Sequence, residues 1–207
     1  MNGPAAGWSA LHHGIDPDGV PLLTGWLRLC WALARPLVRL RVAPGVVTVA
    51  GVVFAVDALL FAAARPWAAL GLIGASVLCD GLDGAVAVLA ARATALGSLA
   101  DKAADRVSDC AFAAVLWRCG APWWLAALAG GISLTHEGFR EIRGGALRTR
   151  ITAGERPTRA VCAVVACGCL GLGLGSWTAT GCAAVWVGAG VVGLGQLVRA
   201  ERETARP

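Results

Sequence analysis

Apolar residues run along this chain in long, nearly uninterrupted blocks rather than in the short amphipathic periods of a soluble domain. Six such runs, at about 46–64, 67–90, 97–117, 121–139, 159–176 and 179–198, each approach the roughly 20 residues a helix needs to cross a bilayer. Ahead of them, residues 22–41 mix Leu and Trp with Arg28, Arg35 and Arg39, whose spacings of seven and four share one helical face. That pattern predicts an amphipathic helix lying in the membrane interface, kinked near Pro36. The expected fold is therefore all-α, an integral membrane protein with six transmembrane helices behind an interfacial one. Its divisions are a disordered amino-terminal tail over 1–21, a juxtamembrane helix over 22–43, a transmembrane domain over 44–199 and a cytoplasmic tail over 200–207.

Composition sharpens this picture. The chain has 207 residues, of which 57% are hydrophobic and only 15% charged, too few charges for a soluble domain of this length. Its formal net charge of +5 does not point to nucleic acid, because the basic residues fall between the apolar runs and mark one membrane face. Of the 18 Lys and Arg residues, all but Arg65 and Arg118 lie on the side of the amino terminus. The positive-inside rule then places both termini in the cytoplasm, in a plasma membrane. Trp67, Trp117, Trp123, Trp124 and Trp177 fall at the opposite ends of the runs, as an aromatic belt would. The first twenty residues lack the basic start and apolar core of a cleavable signal. His12 and His13 adjoin there without the further ligands a metal site needs. Eight cysteines occur with no C-x-x-C pair, and most sit inside apolar runs, where a thiol behaves as a small hydrophobe. Cys79, beside Asp80, is placed to be sensitive to alkylation without being catalytic.

The chemistry concentrates in residues 80–105, DGLDGAVAVLAARATALGSLADKAAD. On one helix, Asp80, Asp83, Gly84 and Ala87 share an arc of roughly 100°, since each residue turns the helix by about that angle. Gly97, Asp101 and Asp105 follow at i, i+4 and i+8, a single stripe on a second helix. A chain reversal near 92–96 makes the helices antiparallel, setting Asp80 at the depth of Asp105 and Asp83 at that of Asp101. Four converging carboxylates resist ionising together and call for cations, and hard oxygen ligands suit Mg²⁺ or Mn²⁺. Small residues on the same faces leave room for a ligand or a close partner helix. A carboxylate-held metal pair beside such a cleft suits phosphoryl transfer. Asp109, one turn past Asp105, either extends the polar face or makes a structural bond across helices; Asp57 is expected to be structural.

This stretch resembles the signature of the CDP-alcohol phosphotransferases, Asp-x2-Asp-Gly-x2-Ala-Arg-x8-Gly-x3-Asp-x3-Asp. Asp80, Asp83, Gly84, Ala87, Gly97, Asp101 and Asp105 match in register, and Val88 stands where the family has Arg. Pro44-Gly45-Val46-Val47-Thr48 is similar to the family's Pro-Asn-x-x-Thr, with Gly45 in place of Asn. The resemblance implies transfer of a phosphatidyl group from a CDP-linked lipid such as CDP-diacylglycerol to a small alcohol, with release of CMP. It implies that Asp80, Asp83 and Asp101 are metal ligands for two divalent cations. Asp105 is implied as the general base, also contacting the second metal. Asp80, Gly84, Ala87 and Gly97 are expected at the CDP-lipid, and Arg92, one turn past Val88, to compensate for the missing arginine.

The loop 136–159 carries Arg140, Arg143, Arg148, Arg150, Arg156 and Arg159 and no lysine. Topology requires part of this charge, but guanidinium also binds phosphate oxygens in a bidentate fork. Glu155-Arg156-Pro157-Thr158-Arg159 resembles the Glu-Arg-Pro-x-Arg segment of phosphatidylinositol-phosphate synthase-like members, which implies an acceptor-binding role for Arg156, Arg159 and Arg140. Glycerol 3-phosphate and inositol phosphate suit these arginines better than serine does. Two other readings start from the same residues: a catalytically degenerate homologue that binds lipid or assists assembly, favoured by Val88, and a transporter coupled to cations through intramembrane carboxylates. Retention of all four aspartates counts against the first. Their position toward one face, beside arginines, counts against the second. Glycines 168, 171, 173 and 175, and 188, 190, 193 and 195, allow close helix packing or a homodimer face, and the sequence leaves that choice open.

Overall fold

The computed structural model describes residues 21–144, 147 and 151–204. The tail over 1–20, the histidine pair, Arg148, Arg150 and residues 205–207 lie outside the described residues. Among those described, regular structure is entirely helical, in seven helices: α1 (Pro21–Arg39), α2 (Pro44–Phe61), α3 (Pro66–Leu89), α4 (Ala95–Arg118), α5 (Trp123–Arg143), α6 (Arg156–Gly171) and α7 (Trp177–Thr204). Residues 200–204, expected in a tail, continue the last helix.

Local chemistry sets the helix ends. Proline opens α2 and α3, where its missing N–H costs nothing. Thr94 caps α4, its hydroxyl oxygen accepting the Gly97 N–H at 3.0 Å. At the end of α3 the Arg92 N–H reaches the Ala87 carbonyl and the Ala91 N–H that of Val88, with Ala91 at φ 51°. This left-handed closure stops the helix and turns the chain toward α4. The reversal expected near 92–96 thus occurs over 90–94.

Three helices, α2, α3 and α7, are long and apolar enough to cross a membrane. The other three expected spans are more polar or shorter. The α4 helix carries Asp101, Lys102, Asp105, Arg106 and Asp109 within nine positions, α5 ends in a polar segment, and α6 has 16 residues. Packing also follows membrane rules. Fully buried positions go to Ala55, Ala58, Ala62 and Ala69, while Val46, Val49, Val53, Val56 and Leu60 form an exposed stripe on α2. Small residues inside and large apolar ones outside suit a lipid solvent and would be costly in water. The five tryptophans of the expected belt are all exposed, at helix ends. The chain is a multi-pass membrane protein.

The described residues form two compact units, and α2, α3 and α4 each run through both. One comprises the chain up to Val53 with Ala75–Asp105; the other comprises Phe54–Gly74 with the chain from Arg106 onward. In the first unit, α1 buries Leu27, Cys30, Trp31 and Ala34, an i, i+3, i+4, i+7 stripe, and leaves Arg28, Arg35 and Arg39 exposed. That stripe packs with Val47 of α2 and with Leu82, Ala85 and Val86 of α3. The approach depends on Gly81, where a Cβ would lie 2.7 Å from the Cys30 sulfur. Pro36 lies within α1, and the helix is amphipathic as expected.

In the second unit α7 packs against both α5 and α6. Three of the predicted glycines serve close approach: a Cβ on Gly171 would strike Trp67, one on Gly190 would strike Ile132, and one on Gly193 would lie 2.9 Å from the Gly154 nitrogen. Gly173 and Gly175 instead take positive φ in the turn after α6. Trp186 buries its ring and donates to the Ser133 hydroxyl at 2.8 Å.

Candidate active site

The aspartate-bearing stretch lies wholly within the first unit, on the end of α3 and the start of α4. The tight closure at Ala91 and the Thr94 cap bring these two helix segments side by side. Asp80, Asp101 and Asp105 then meet, each offering a carboxylate oxygen within 4.8 Å of the others. All three are half-buried, so the cluster is neither sealed nor fully washed by water. Three hard oxygen donors at this spacing fit a divalent cation, which would offset the repulsion of carboxylates drawn together in a mostly apolar helix pair.

Asp83, the fourth expected member, is not among the three residues whose oxygens meet at this distance. It is 5% exposed, and its Oδ2 accepts a hydrogen bond from the Thr48 hydroxyl of α2 at 2.6 Å. The sequence singles out Thr48 only as part of a motif; its partner is 35 residues away, a pairing no local spacing reveals. Gly84 faces open space where a side chain would go, while Ala87 is half-buried and contributes the carbonyl that closes α3. Gly97 is exposed in the capped first turn of α4. Val88 packs against the apolar cluster shared by α1, α2 and α3, so the residue standing in the arginine position belongs to the α1 docking surface. Arg92 is exposed and closes α3 through its backbone.

The arginines expected at the acceptor belong to the second unit, in a buried network. Arg159 is 2% exposed; its guanidinium reaches Asp109 Oδ2, Glu137 Oε1 at 2.9 Å and the Gly154 carbonyl at 2.7 Å. Its Nε also donates to that carbonyl, at 3.0 Å. Nearly all of its five N–H groups are thereby committed to this chain's own acceptors. The sequence reading assigns Arg159 to the acceptor; in the structure it faces instead buried Asp109 and half-buried Glu137, two acids that need a cation. Asp109 accordingly takes the structural alternative, bonded across helices.

Arg140 forms a two-pronged pair with Glu155, one prong at 3.1 Å. Burial pushes the Glu155 carboxyl up, but the Arg140 hydrogen bonds and charge, with the Thr152 N–H and hydroxyl, outweigh it and hold the group below its usual range. The same pair raises Arg140 against the opposing effect of burial. Arg156, in the first turn of α6, has its Nε 4.0 Å from Asp109 Oδ1. His136 is fully buried and within 2.9 Å of the Thr152 hydroxyl. Sequence reasoning missed His136, Glu137 and Thr152, although a Glu inside an apolar run is a signal that a buried cation must face it.

Comparison with known proteins places the chain in a family. Residues 41–194 match the CDP-alcohol phosphatidyltransferase family, and the chain belongs to it. Archaetidylinositol phosphate synthase of Aeropyrum pernix is 35% identical over 138 residues, covering 62% of this chain and 70% of that protein. Phosphatidylinositol phosphate synthase of Mycobacterium tuberculosis is 36% identical over 101 residues, which is 48% of this chain and 44% of that protein. The fold is shared with the crystal structure of the Mycobacterium tuberculosis phosphatidylinositol phosphate synthase with CDP-DAG bound. That likeness has a TM-score of 0.65 at 24% identity, covering 83% of this chain and 91% of the other. The chain is thus a transferase of phospholipid synthesis, of the CDP-alcohol phosphatidyltransferase type.

Proposed function

We propose that this chain transfers the phosphatidyl group of CDP-diacylglycerol to a phosphorylated polyol, inositol phosphate, releasing CMP. The observation that carries the reading is the meeting of Asp80, Asp101 and Asp105 within 4.8 Å, at the spacing of the family signature. Asp80, Asp83, Asp101 and Asp105 hold two divalent cations, Mg²⁺ or Mn²⁺. Bound there, the cations neutralise pyrophosphate charge and orient the reacting oxygens. Asp105 takes the proton of the acceptor hydroxyl, whose oxygen attacks the phosphorus bearing the diacylglycerol. The bond from that phosphorus to the bridging oxygen breaks, and CMP leaves with the oxygen. Gly84, Ala87 and Gly97 keep the nucleotide side of the cleft free of bulk. Arg140 and Arg156 are assigned to the acceptor phosphate on the Glu-Arg-Pro-x-Arg motif and on the relatives' names, which give inositol phosphate lipids as products. The six-span topology, with α1 in the interface and both termini cytoplasmic, completes the reading.

The test uses the full chain in detergent with Mn²⁺ and CDP-diacylglycerol, following CMP release as acceptors are added singly. Release with inositol phosphate is expected, and its loss by at least a hundredfold in Asp105→Asn and on chelation of the metal. Release only with glycerol 3-phosphate would reassign the acceptor. No release with any acceptor, despite binding of the CDP-lipid, would replace the enzyme reading with the degenerate-homologue one that Val88 favours.

A further inference from the structure

We propose that Thr48 is a positioning residue of the transfer reaction, acting through Asp83. The hydroxyl of Thr48 lies between two acceptors, the Pro44 carbonyl of its own helix at 3.2 Å and Asp83 Oδ2 at 2.6 Å. It has one proton to give. The shorter bond goes to the carboxylate, and a charged acceptor makes the stronger hydrogen bond. The β-branched side chain has few rotamers on a helix, and the one that turns Oγ back toward the preceding carbonyl fixes where the proton points. Threonine therefore offers Asp83 a donor whose direction is set before any ligand arrives.

The backbone is arranged to deliver it. Gly51, about one turn further along α2, has no Cβ; one built there would lie 3.1 Å from the Cys79 Cβ and 3.5 Å from the Ser76 carbonyl. Because residue 51 is bare, α2 and α3 lie close enough for a short threonine side chain to span the gap. Val47, next to Thr48, buries with Leu82 and Val86, which flank Asp83, and locks the register. A carboxylate only 5% exposed is thus fixed at one oxygen by a neighbouring helix. Its remaining oxygen is the atom it can offer to a cation shared with Asp80, Asp101 and Asp105. Thr48 thereby fixes the direction of one Asp83 oxygen from a neighbouring helix. The inference rests on the aspartates being a cation site, and partners of this kind typically change metal affinity by about 10–100-fold when removed.

The test is Mn²⁺ titration of the purified full chain, read by electron paramagnetic resonance of the free ion, beside CMP release. Thr48→Val keeps the shape and removes the hydroxyl; it is expected to weaken Mn²⁺ binding about tenfold and to lower kcat, leaving KM for the acceptor unchanged. Thr48→Ser, which restores the donor, is expected to recover most of the binding. In an Asp83→Asn background, Thr48→Val is expected to cost nothing further. Wild-type Mn²⁺ binding undiminished in Thr48→Val would overturn the inference while leaving the cation site standing. A full loss persisting in the Asp83→Asn background would also overturn it, because the hydroxyl would then act elsewhere. Absence of Mn²⁺ binding in the wild type would remove the cation site itself and this inference with it. Should the valine variant misfold, Thr48→Ala removes the same donor and is read the same way.

Discussion

Single side chains here divide between those that face chemistry and those that hold the frame. Arg159 carries the charge one associates with substrate phosphate, yet its environment is the buried Asp109, the half-buried Glu137 and a backbone carbonyl. Removing one partner of a buried ion pair leaves the others uncompensated, at about 3–5 kcal/mol. Arg159→Ala is accordingly expected to lower the thermal unfolding midpoint in detergent far more than Arg143→Ala, whose side chain is half exposed and pairs with Glu201 at the surface. Equal midpoints for the two variants, by fluorescence or light scattering, would refute the framing role. Asp83 shows the reverse division: its carboxylate belongs with the reacting set by sequence, but its orientation is decided by a hydroxyl on another helix.

At the scale of elements, the reversal between α3 and α4 sets how the aspartates meet. The turn depends on Ala91 holding φ 51°, a left-handed conformation that costs an L-residue roughly 1–2 kcal/mol. Glycine adopts it freely and is the usual residue at this position after a helix. Ala91→Gly is therefore expected to raise stability by up to about 1 kcal/mol, seen as a higher unfolding midpoint with CMP release unchanged. A lower midpoint would mean that the alanine side chain contributes packing that outweighs its strain. The α1 helix makes the complementary point. Its polar face was plain in the spacing of Arg28, Arg35 and Arg39, but its seat on α3 exists only because residue 81 is glycine.

For the molecule as a whole, charge asymmetry and helix composition point to one orientation. If six helices cross, an even number, both ends lie on the arginine-rich face. Reporter fusions at the amino and carboxyl ends are expected to read cytoplasmic, with a reporter inserted after Arg65 reading the opposite side. A carboxyl-terminal reporter on the far side would show that one of α4, α5 or α6, the less apolar helices, does not cross.

The sequence by itself determined the helical class, the apolar runs, the aspartate spacing and the family, because each is a one-dimensional pattern: periodicity, length and register are written in order along the chain. Most ends of the apolar runs fell within a few residues of the helix ends for the same reason. What only the tertiary structure decided is which groups at large separation meet. Thr48 lies 35 residues from Asp83, and Arg159 lies 50 from Asp109. An arginine reads the same in a string whether it faces a substrate phosphate or two carboxylates of its own chain; burial and partner geometry, which exist only once helices pack, separate the two.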